Sequence, residues 1–272
     1  PDEVKRKVAE AGLPGKPLEV HITGALDPAF TLCDAVRMVS GVKNANPSAI
    51  IKAFTLVEVE DLARKSGKAA EVVMEDLRDA GVSAFPGGGA ELFSERIRKR
   101  LCPEKTSGER WLQLAGTAHS LGIRTNATML FGVGETDRER VEHMLMLREQ
   151  QDRSGGFMAF IPLLFQKKNT PLEEVPTPSF AEQLMVFSVS RLLLDNFPHV
   201  KVHWAMSGLK MAELSQWFGV DDLEGTVVEE RIGHEGGAET PHGLSRQLVV
   251  SLIARSGRTP LERDGLYRPV AP

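Results

Sequence analysis

Short apolar runs alternate with helix-like segments along nearly the whole chain. Three of these runs are LEVHITGA, AIIKAFTLVE and FMAFIPLLF, and a segment with helical periodicity follows each of them. Strands that are apolar on both faces are typical of a parallel sheet covered by helices. Seven such strands within 272 residues, without an internal sequence repeat, fit a barrel better than an open sheet. We therefore predict an α/β fold, a partial or near-complete parallel (β/α) barrel of the TIM type.

The predicted elements form one domain, residues 1–272, whose last part is a helical and extended segment from about residue 244. The strands are expected at residues 18–25, 49–58, 82–86, 123–132, 157–165, 200–208 and 225–232. The helices are expected at residues 2–11, 29–40, 59–81 with a break near Gly67, after Glu91, and at 109–122, 138–155, 179–197, 209–219 and 246–257. Thr136 is expected to cap the helix at 138–155, and Gly155 to end it.

Three consecutive glycines follow the short third strand at residues 87–89. Glycine loses the most conformational entropy on ordering, so an ordered run indicates close approach of the backbone to a ligand. Function in a barrel lies at the carboxyl ends of the strands, where bare amides can meet a carboxylate or a hydroxyl group. Glu91 can then accept from ribose hydroxyls. A carboxylate can pair with an arginine of the next helix: Arg96, Arg98 or Arg100. A flexible loop and a solvated arginine face are the alternatives.

Two other chemistries have partial support. Lys52 lies in a strand pattern and can form a Schiff base if burial lowers its pKa, which gives an aldolase alternative, although it comes early in its strand. The histidines show no HxH or HExxH spacing of a metal hydrolase, but His21 and His203 can approach each other inside a barrel. Cys33 and Cys102 have no metal-binding spacing.

Charge and hydropathy limit the partners. The net charge of -4 gives no positive field that would attract nucleic acid or an anionic membrane surface, so neither partner is expected. No apolar run is long enough to cross a bilayer, and the charged start PDEVKRKVAE does not have the pattern of an export signal. A cytoplasmic protein with a small-molecule substrate is the expectation.

Long segments resemble, in order, those of one enzyme family. They are HITGALDP, KAFTLVEVEDLA, FPGGGAELFSERIRKRLCPEK, RTNATMLFGVGET, GGFMAFIPLLFQKKNTPL, RLLLDNFPHVKVHWAMSGLKMAELSQWFGVDDLEGTVVEERI and GGAETPHGL. Together they resemble the aminofutalosine synthases of the futalosine route to menaquinone, which belong to the radical S-adenosylmethionine (SAM) superfamily. Relatives include the dehypoxanthine futalosine cyclase and the enzymes that build the deazaflavin precursor.

The resemblance implies a TIM-like radical SAM barrel with a [4Fe-4S] cluster and an electron donor such as flavodoxin or ferredoxin. The implied activity is that of a radical SAM transferase that forms a carbon–carbon bond. The 5'-deoxyadenosyl radical from SAM adds to 3-[(1-carboxyvinyl)oxy]benzoate, and loss of the carboxylate as bicarbonate gives 6-amino-6-deoxyfutalosine. SAM is therefore a substrate, and no catalytic acid or base is identified.

The resemblance also implies the site residues. Those implied to bind SAM are Thr23, Gly24, Glu58, Gly87, Gly88, Gly89, Glu91, Arg98, Asn126 and Thr128. Those implied to bind the second substrate are Arg100, Glu229 and Glu230.

One departure from the family is plain, because no CxxxCxxC motif occurs in these 272 residues. Three thiolates at that spacing hold the cluster and leave one iron open for SAM, so no metal ligand is predicted in this chain. In the family the motif follows the first barrel strand, just ahead of a helix like residues 2–11. We therefore expect the first strand and the cluster loop to be missing, and the chain alone to be inactive.

Two alternatives to this function stay open. One is a non-catalytic barrel that binds a nucleoside-like ligand or a partner protein, and the other is a related enzyme such as the cyclase. A parallel edge without its neighbouring strand is open to pairing, so a homodimer or disorder near Pro1 is expected at that edge.

Overall fold

The seven strands that the computed structural model describes run parallel in one sheet, in chain order. The structure describes residues 6, 8, 18–24, 26–226 and 243–270. The strands are β1 (Glu19–Ile22), β2 (Ile50–Ala53), β3 (Ala84–Phe85), β4 (Arg124–Phe131), β5 (Phe157–Leu164), β6 (His199–Val202) and β7 (Asp222–Leu223). The order and direction of the strands confirm the predicted α/β parallel half-barrel.

Helices fill the connections between the strands. They are α1 (Leu32–Ala45), α2 (Leu56–Ser66), α3 (Ala70–Ala80), α4 (Glu95–Leu101), α5 (Gly108–Ser120), α6 (Asp137–Ser154), α7 (Phe180–Leu193), α8 (Trp204–Ser207), α9 (Leu209–Leu214) and, after β7, α10 (Arg246–Arg255). A 3-10 helix (Ser215–Phe218) links α9 to β7. Within the described ranges, no helix combines the length and the apolar character that crossing a bilayer would require.

The largest apolar core lies between the sheet and the helices that cover it. Ile51, Ala53 and Ala127 point into this core from β2 and β4. Because side chains alternate along a strand, the intervening Lys52 and Asn126 point into the barrel interior. A second apolar core packs β6 against α7 and α9. We call the barrel interior beneath the strands' carboxyl-end loops the chamber.

The second strand is shorter than predicted. It ends at Ala53, and residues 56–58 of the predicted strand form the first turn of α2. Thr55 caps this helix: its hydroxyl accepts from the Glu58 amide, and the Glu58 carboxylate accepts from the Thr55 amide at 2.7 Å. The sequence TLVE encodes this reciprocal capping box, which outweighs the β-branched character of the run.

The last strands also differ from the prediction. β6 stops at Val202, and residues 204–207 of the predicted strand form the short helix α8. There the Trp204 indole donates to the Glu224 carbonyl at 3.0 Å, a tertiary contact that overrides local strand propensity. β7 lies ahead of the predicted strand at 225–232, of which residues 227–232 are outside the described residues. The predicted helix at 2–11 is also outside them, apart from residues 6 and 8.

Two predicted helix boundaries are confirmed. Gly67 separates α2 from α3, as the break in the periodic pattern indicates. Thr136 caps α6 through a capping box with Glu139, and Gly155 ends it in the left-handed conformation at a φ of 62°.

Replacing Thr136 by alanine removes the hydroxyl that accepts from the Glu139 amide at the start of α6. We expect the free energy of unfolding to fall by about 1 kcal/mol. Thr136→Ser keeps the hydroxyl and should stay within about 0.5 kcal/mol of the parent. Urea unfolding followed by circular dichroism measures both, and equal losses in the two variants would contradict the cap.

Candidate ligand-binding site

Glu58 connects the loops that follow β1 and β2. Its carboxylate accepts from the Gly24 amide at 2.8 Å and from the Thr55 amide at 2.7 Å. The carboxyl group is buried, and burial raises its pKa although the hydrogen bonds from Thr55 and Gly24 oppose the rise. Glu58 is thus engaged with the backbone of the loops at the carboxyl ends of the strands, which we call the rim, where Thr23 and Gly24 are exposed. Their implied contact with SAM stays a prediction.

The loop after β3, residues 87–92, has a bonded partner for every carbonyl oxygen. We call it the glycine loop. The Thr128 hydroxyl donates to Gly87 at 2.7 Å, the Trp111 indole to Gly88 at 3.3 Å, and the Leu130 amide to Glu91 at 2.7 Å. The Arg98 guanidinium donates to the carbonyls of residues 89, 90 and 92 at 3.4, 2.6 and 3.5 Å. Hydrogen bonds to its carbonyl oxygens therefore hold the glycine loop in place.

The amide groups of the glycine loop have no such partners. In the part of the chain that the structure describes, no side chain and no residue outside the loop accepts a hydrogen bond from the N–H groups of residues 87–92, and residues 88 and 89 form a turn within the loop. Backbone N–H groups removed from water rarely stay unpaired, so a strip of them indicates a ligand surface. Successive N–H groups of this kind bind carboxylate, phosphate and hydroxyl oxygens.

The glycine loop is packed too closely to be an open flexible segment. A Cβ on Gly87 would lie 2.9 Å from the carbonyl carbon of Asn126. Gly89 has a φ of 81°, and a Cβ there would lie 2.5 Å from Val57. Side chains are excluded at both positions, so the loop's own backbone faces its neighbours directly. This packing argues against the flexible-loop alternative.

Two non-glycine residues with positive φ lie at the same rim. Phe54 follows β2 with a φ of 63°, and Glu91 follows β3 with a φ of 47°. Such conformations cost free energy in residues with side chains and tend to cluster at functional sites. The Glu91 carboxylate lies 2.8 Å from the Lys105 ammonium. Its role as an acceptor for ribose hydroxyls stays a prediction.

The three candidate arginines of α4 already have partners in the protein. Arg98 is buried, with its guanidinium on the glycine-loop carbonyls. Arg100 donates to the Val133 carbonyl, and Arg96 pairs with Glu139 at 2.6 Å. Because Arg98 supports the loop from its acceptor side, it holds the backbone rather than offering a free fork to a ligand. Contact of Arg98 with SAM, or of Arg100 with the second substrate, stays a prediction.

Asn126 and Thr128 are neighbours on the inward face of β4. Asn126 is 2% exposed, and its Oδ1 has no hydrogen-bond partner among the described residues. A buried amide oxygen without a donor calls for a ligand or another explanation, since leaving it unpaired is costly. Thr128 is committed to the glycine loop through its hydroxyl. Asn126 is therefore the better placed of the two for a ligand.

His143 is a supporting residue that the sequence pattern did not identify. It is buried on α6, its Nε2 bonds the Thr128 carbonyl at 3.0 Å, and its Nδ1 accepts from the Phe93 amide at 3.2 Å. The imidazole thus joins β4 to the end of the glycine loop in one tautomer, with the proton on Nε2. The only signal in the sequence is a histidine beside Met144 on the apolar face of its helix.

Lys52 does not fit the aldolase alternative. Burial lowers its pKa, as a Schiff base requires, but its Nζ lies 2.8 Å from the Glu19 carboxylate at the start of β1. The ammonium is therefore held in an ion pair towards the amino ends of the strands, away from the loops.

A second interior ion pair joins β6 to the residues after β7. Burial would raise the pKa of Glu224, but Lys201 at 3.1 Å, together with His203 and His21, lowers it to about 2. His21 on β1 and His203, which directly follows β6, thus both lower the pKa of the same carboxylate. Glu229 and Glu230, implied to bind the second substrate, lie outside the described residues.

The described residues do not fit an iron–sulfur cluster. Cys33 is exposed on α1 and Cys102 is buried at the end of α4, and both are free thiols. No group of three or more histidine, cysteine, aspartate or glutamate side chains in the described part of the chain could hold a metal ion. A [4Fe-4S] cluster with one open iron needs three thiolates, and the described residues offer only these two cysteines.

The fold defines the class of protein. The structure is similar to the crystal structure of methylornithine synthase, with a TM-score of 0.67 over 96% of this chain and 73% of that chain, at 17% sequence identity. By its fold this chain belongs to the class of parallel α/β half-barrels, with its loops gathered at one rim.

The sequence defines the family. The protein-family model described as the CofH/MqnC C-terminal region matches residues 154–271 of this chain. The chain is 42% identical to aminodeoxyfutalosine synthase of Thermus thermophilus over 99% of this chain and 73% of that protein. It is 38% identical to aminodeoxyfutalosine synthase of Streptomyces coelicolor, over 92% of this chain and 67% of that protein. It is 36% identical to cyclic dehypoxanthine futalosine synthase of the same organism, over 98% of this chain and 66% of that protein. The chain belongs to the aminodeoxyfutalosine synthase family of radical SAM enzymes.

Buried His143 predicts a pH dependence of stability. Desolvation lowers its pKa from 6.5 to about 3, so the unfolded chain binds this proton more readily than the folded protein. The contribution of His143 to the free energy of unfolding is therefore fully present above the pKa of histidine in the unfolded chain. It is lost as the pH falls towards the pKa of His143 in the folded protein. Between about pH 7 and about pH 5, this contribution should fall by about 2 kcal/mol.

The variant His143→Gln removes the titrating group and keeps an amide that can donate to Thr128. Urea unfolding across this pH range should show a smaller loss of stability in the variant than in the parent. His119, whose pKa burial lowers to about 4, titrates in both proteins and serves as the internal reference. The same slope in both proteins would contradict the assignment.

Proposed function

We propose that the protein is, in its full-length form, an aminodeoxyfutalosine synthase of menaquinone biosynthesis. In this reaction the 5'-deoxyadenosyl radical from SAM adds to 3-[(1-carboxyvinyl)oxy]benzoate, and 6-amino-6-deoxyfutalosine and bicarbonate are formed. The observation that carries the proposal is the 42% identity over 99% of the chain with the Thermus thermophilus enzyme. The fold of the described residues is compatible with it.

The rim offers the kinds of group that SAM requires. The unpaired amides of residues 87–92 suit its carboxylate or its ribose hydroxyls, because both are hydrogen-bond acceptors. The Asn126 amide oxygen is an acceptor and suits an ammonium or amino group. Glu58 supports binding indirectly, because it holds the Gly24 amide at 2.8 Å.

Enclosure is the second requirement of this reaction. A primary carbon radical abstracts hydrogen from most molecules it touches, so water and loose side chains must be kept away from it. The strands supply walls, and the carbonyls of the glycine loop are locked by Arg98, Trp111 and Thr128. Locked walls hold the reacting atoms of two substrates at near-attack distance without reorganisation.

Several further expectations belong to this proposal. Radical SAM homologues use SAM and a [4Fe-4S] cluster, and the described residues provide no ligand set for that cluster. An electron donor such as flavodoxin or ferredoxin, a homodimer and a cytoplasmic location stay predictions. So does the assignment of residues 1–272 to one domain with a distinct segment from about residue 244.

The second candidate is cyclic dehypoxanthine futalosine synthase activity, supported by the 36% identity over 98% of the chain. Full-length, cluster-loaded protein incubated with SAM and a reductant separates the two candidates. With 3-[(1-carboxyvinyl)oxy]benzoate we expect 6-amino-6-deoxyfutalosine by mass spectrometry and no turnover of dehypoxanthine futalosine. The reverse pattern would assign the cyclase, and no product from either substrate would favour a non-catalytic barrel.

Asn126→Leu separates ligand binding from stability. The Asn126 oxygen has no protein partner, so an apolar side chain of similar size should leave the free energy of unfolding unchanged or higher. SAM binding to the full-length enzyme should weaken about tenfold, the effect of one lost hydrogen bond. Equilibrium dialysis and urea unfolding measure the two quantities.

Thr128→Val is the matched control on the same strand face. It breaks the 2.7 Å bond to Gly87, so both stability and SAM binding should fall. Loss of stability in Asn126→Leu with unchanged SAM binding would remove Asn126 from the site.

A further inference from the structure

Residues 259–270 lie under the amino ends of the strands, on the opposite side from the glycine loop. They turn back on themselves through an antiparallel bridge between Arg263 and Pro269. We call this turn the C-terminal hairpin. A Cβ on Gly265 would lie 2.8 Å from the Glu19 carboxylate, so the tip of the hairpin packs against the first residue of β1.

Arg263 links the first and last strands of the described sheet. Its guanidinium donates two hydrogen bonds, of 2.6 and 2.7 Å, to the Asp222 carboxylate on β7. The same group lies 3.7 Å from the Glu19 carboxylate on β1. A two-point arginine fork fixes orientation as well as distance. In the described sheet β1 and β7 do not pair with each other, so Arg263 supplies a direct connection between them.

Tyr267 fills the space between cations that point into the barrel. The Arg263 guanidinium carbon lies 4.3 Å from the centre of its ring, and the Nζ atoms of Lys52 and Lys201 each lie 5.3 Å from it. His199 stacks on the ring at 4.8 Å. Cation–π attraction is strongest where water is excluded, and both lysines are fully buried. The hairpin therefore gives the lysines of β2 and β6 a shared aromatic face.

The buried cations also depend on acidic partners around the hairpin. Lys52 lies 2.8 Å from Glu19, and Lys201 lies 3.1 Å from Glu224. A complete set of buried charges is tolerated, whereas removal of one member leaves an uncompensated charge. The hairpin is thus bound to β1, β2, β6 and β7 through one connected set of charges.

We propose that Arg263 and Tyr267 are positioning residues for the ligand site. Through them the C-terminal hairpin covers the side of the chamber formed by the amino ends of the strands, which we call its floor. The hairpin also fixes β1, whose carboxyl end is followed by Thr23 and Gly24. β1 has four residues, so Glu19 and Thr23 are only about 13 Å apart. A shift of the hairpin at the amino end of β1 therefore also shifts Thr23 and Gly24 beyond its carboxyl end. The choice of SAM as the ligand rests on the proposed function, whereas the closed floor does not.

Three variants of the full-length, cluster-loaded enzyme test the proposal. Arg263→Met removes the charge, and Arg263→Lys keeps the charge without the fork. Arg255→Met is the control, since it breaks an exposed pair with Glu213 on the outer helices. Hydrogen exchange with mass spectrometry measures local opening of residues 18–24 and 222–224, and equilibrium dialysis measures SAM affinity.

We expect faster exchange in both segments of Arg263→Met than in β4 and β5, and SAM binding weakened about tenfold. Arg263→Lys should be intermediate, and the control should match the parent. Uniformly faster exchange in all strands would show a purely global role and overturn the positioning role, as would unchanged exchange and affinity. If the parent protein binds no SAM, the proposed function fails, whereas the exchange pattern still decides the role of the hairpin.

Two further substitutions keep the test decisive if Arg263→Met does not fold. Asp222→Asn weakens the fork with little change of shape and should produce the same local exchange pattern. Tyr267→Phe should match the parent, because the Tyr267 hydroxyl has no hydrogen-bond partner among the described residues. Tyr267→Leu should behave like Arg263→Met, and equal behaviour of the two Tyr267 variants would overturn the role of the aromatic face.

Discussion

The rim of this barrel depends on how a stretch of backbone with few side chains satisfies its carbonyl groups. Each acceptor of residues 87–92 needs a donor, and the donors come from β4, α4 and α5. Fixing the acceptors leaves the amides as the free chemical surface. Residues that hold the loop from its carbonyl side, such as Arg98 and Trp111, therefore determine what the loop can bind.

Pairing of opposite charges governs the barrel interior. Lys52 and Lys201 are fully buried, which is tolerated only because each has a carboxylate within 3.1 Å and an aromatic ring beside it. These partners come from both ends of the described sheet and from the C-terminal hairpin. The interior charges consequently act as specificity contacts that bring distant parts of the chain together, while the apolar cores supply most of the favourable burial.

Local patterns were sufficient for the fold but only in part for the candidate site. Continuous apolar runs and helix caps placed most elements, and the glycines of residues 87–89 placed the rim. The end of β2 could have been predicted from the sequence, because residues 55–58, TLVE, have the pattern of a capping box that starts a helix. The partners of Arg98 and Lys52 were not predictable, because a position in a helix or strand does not reveal which distant charge or carbonyl it will meet. Asn126 was identified by resemblance, whereas its unpaired oxygen is a property of the folded structure alone.

Trp111 gives the glycine loop an intrinsic reporter. Its indole is fully buried, bonds the Gly88 carbonyl at 3.3 Å and stacks near Phe157. The emission of an indole depends on the polarity around it and on the hydrogen bond at its nitrogen, so we expect the fluorescence of Trp111 to report a ligand bound at the loop. Trp204 is equally buried but lies in the other apolar core, and Trp217 is largely exposed. The three chromophores thus sample the rim, the far core and the surface of one molecule.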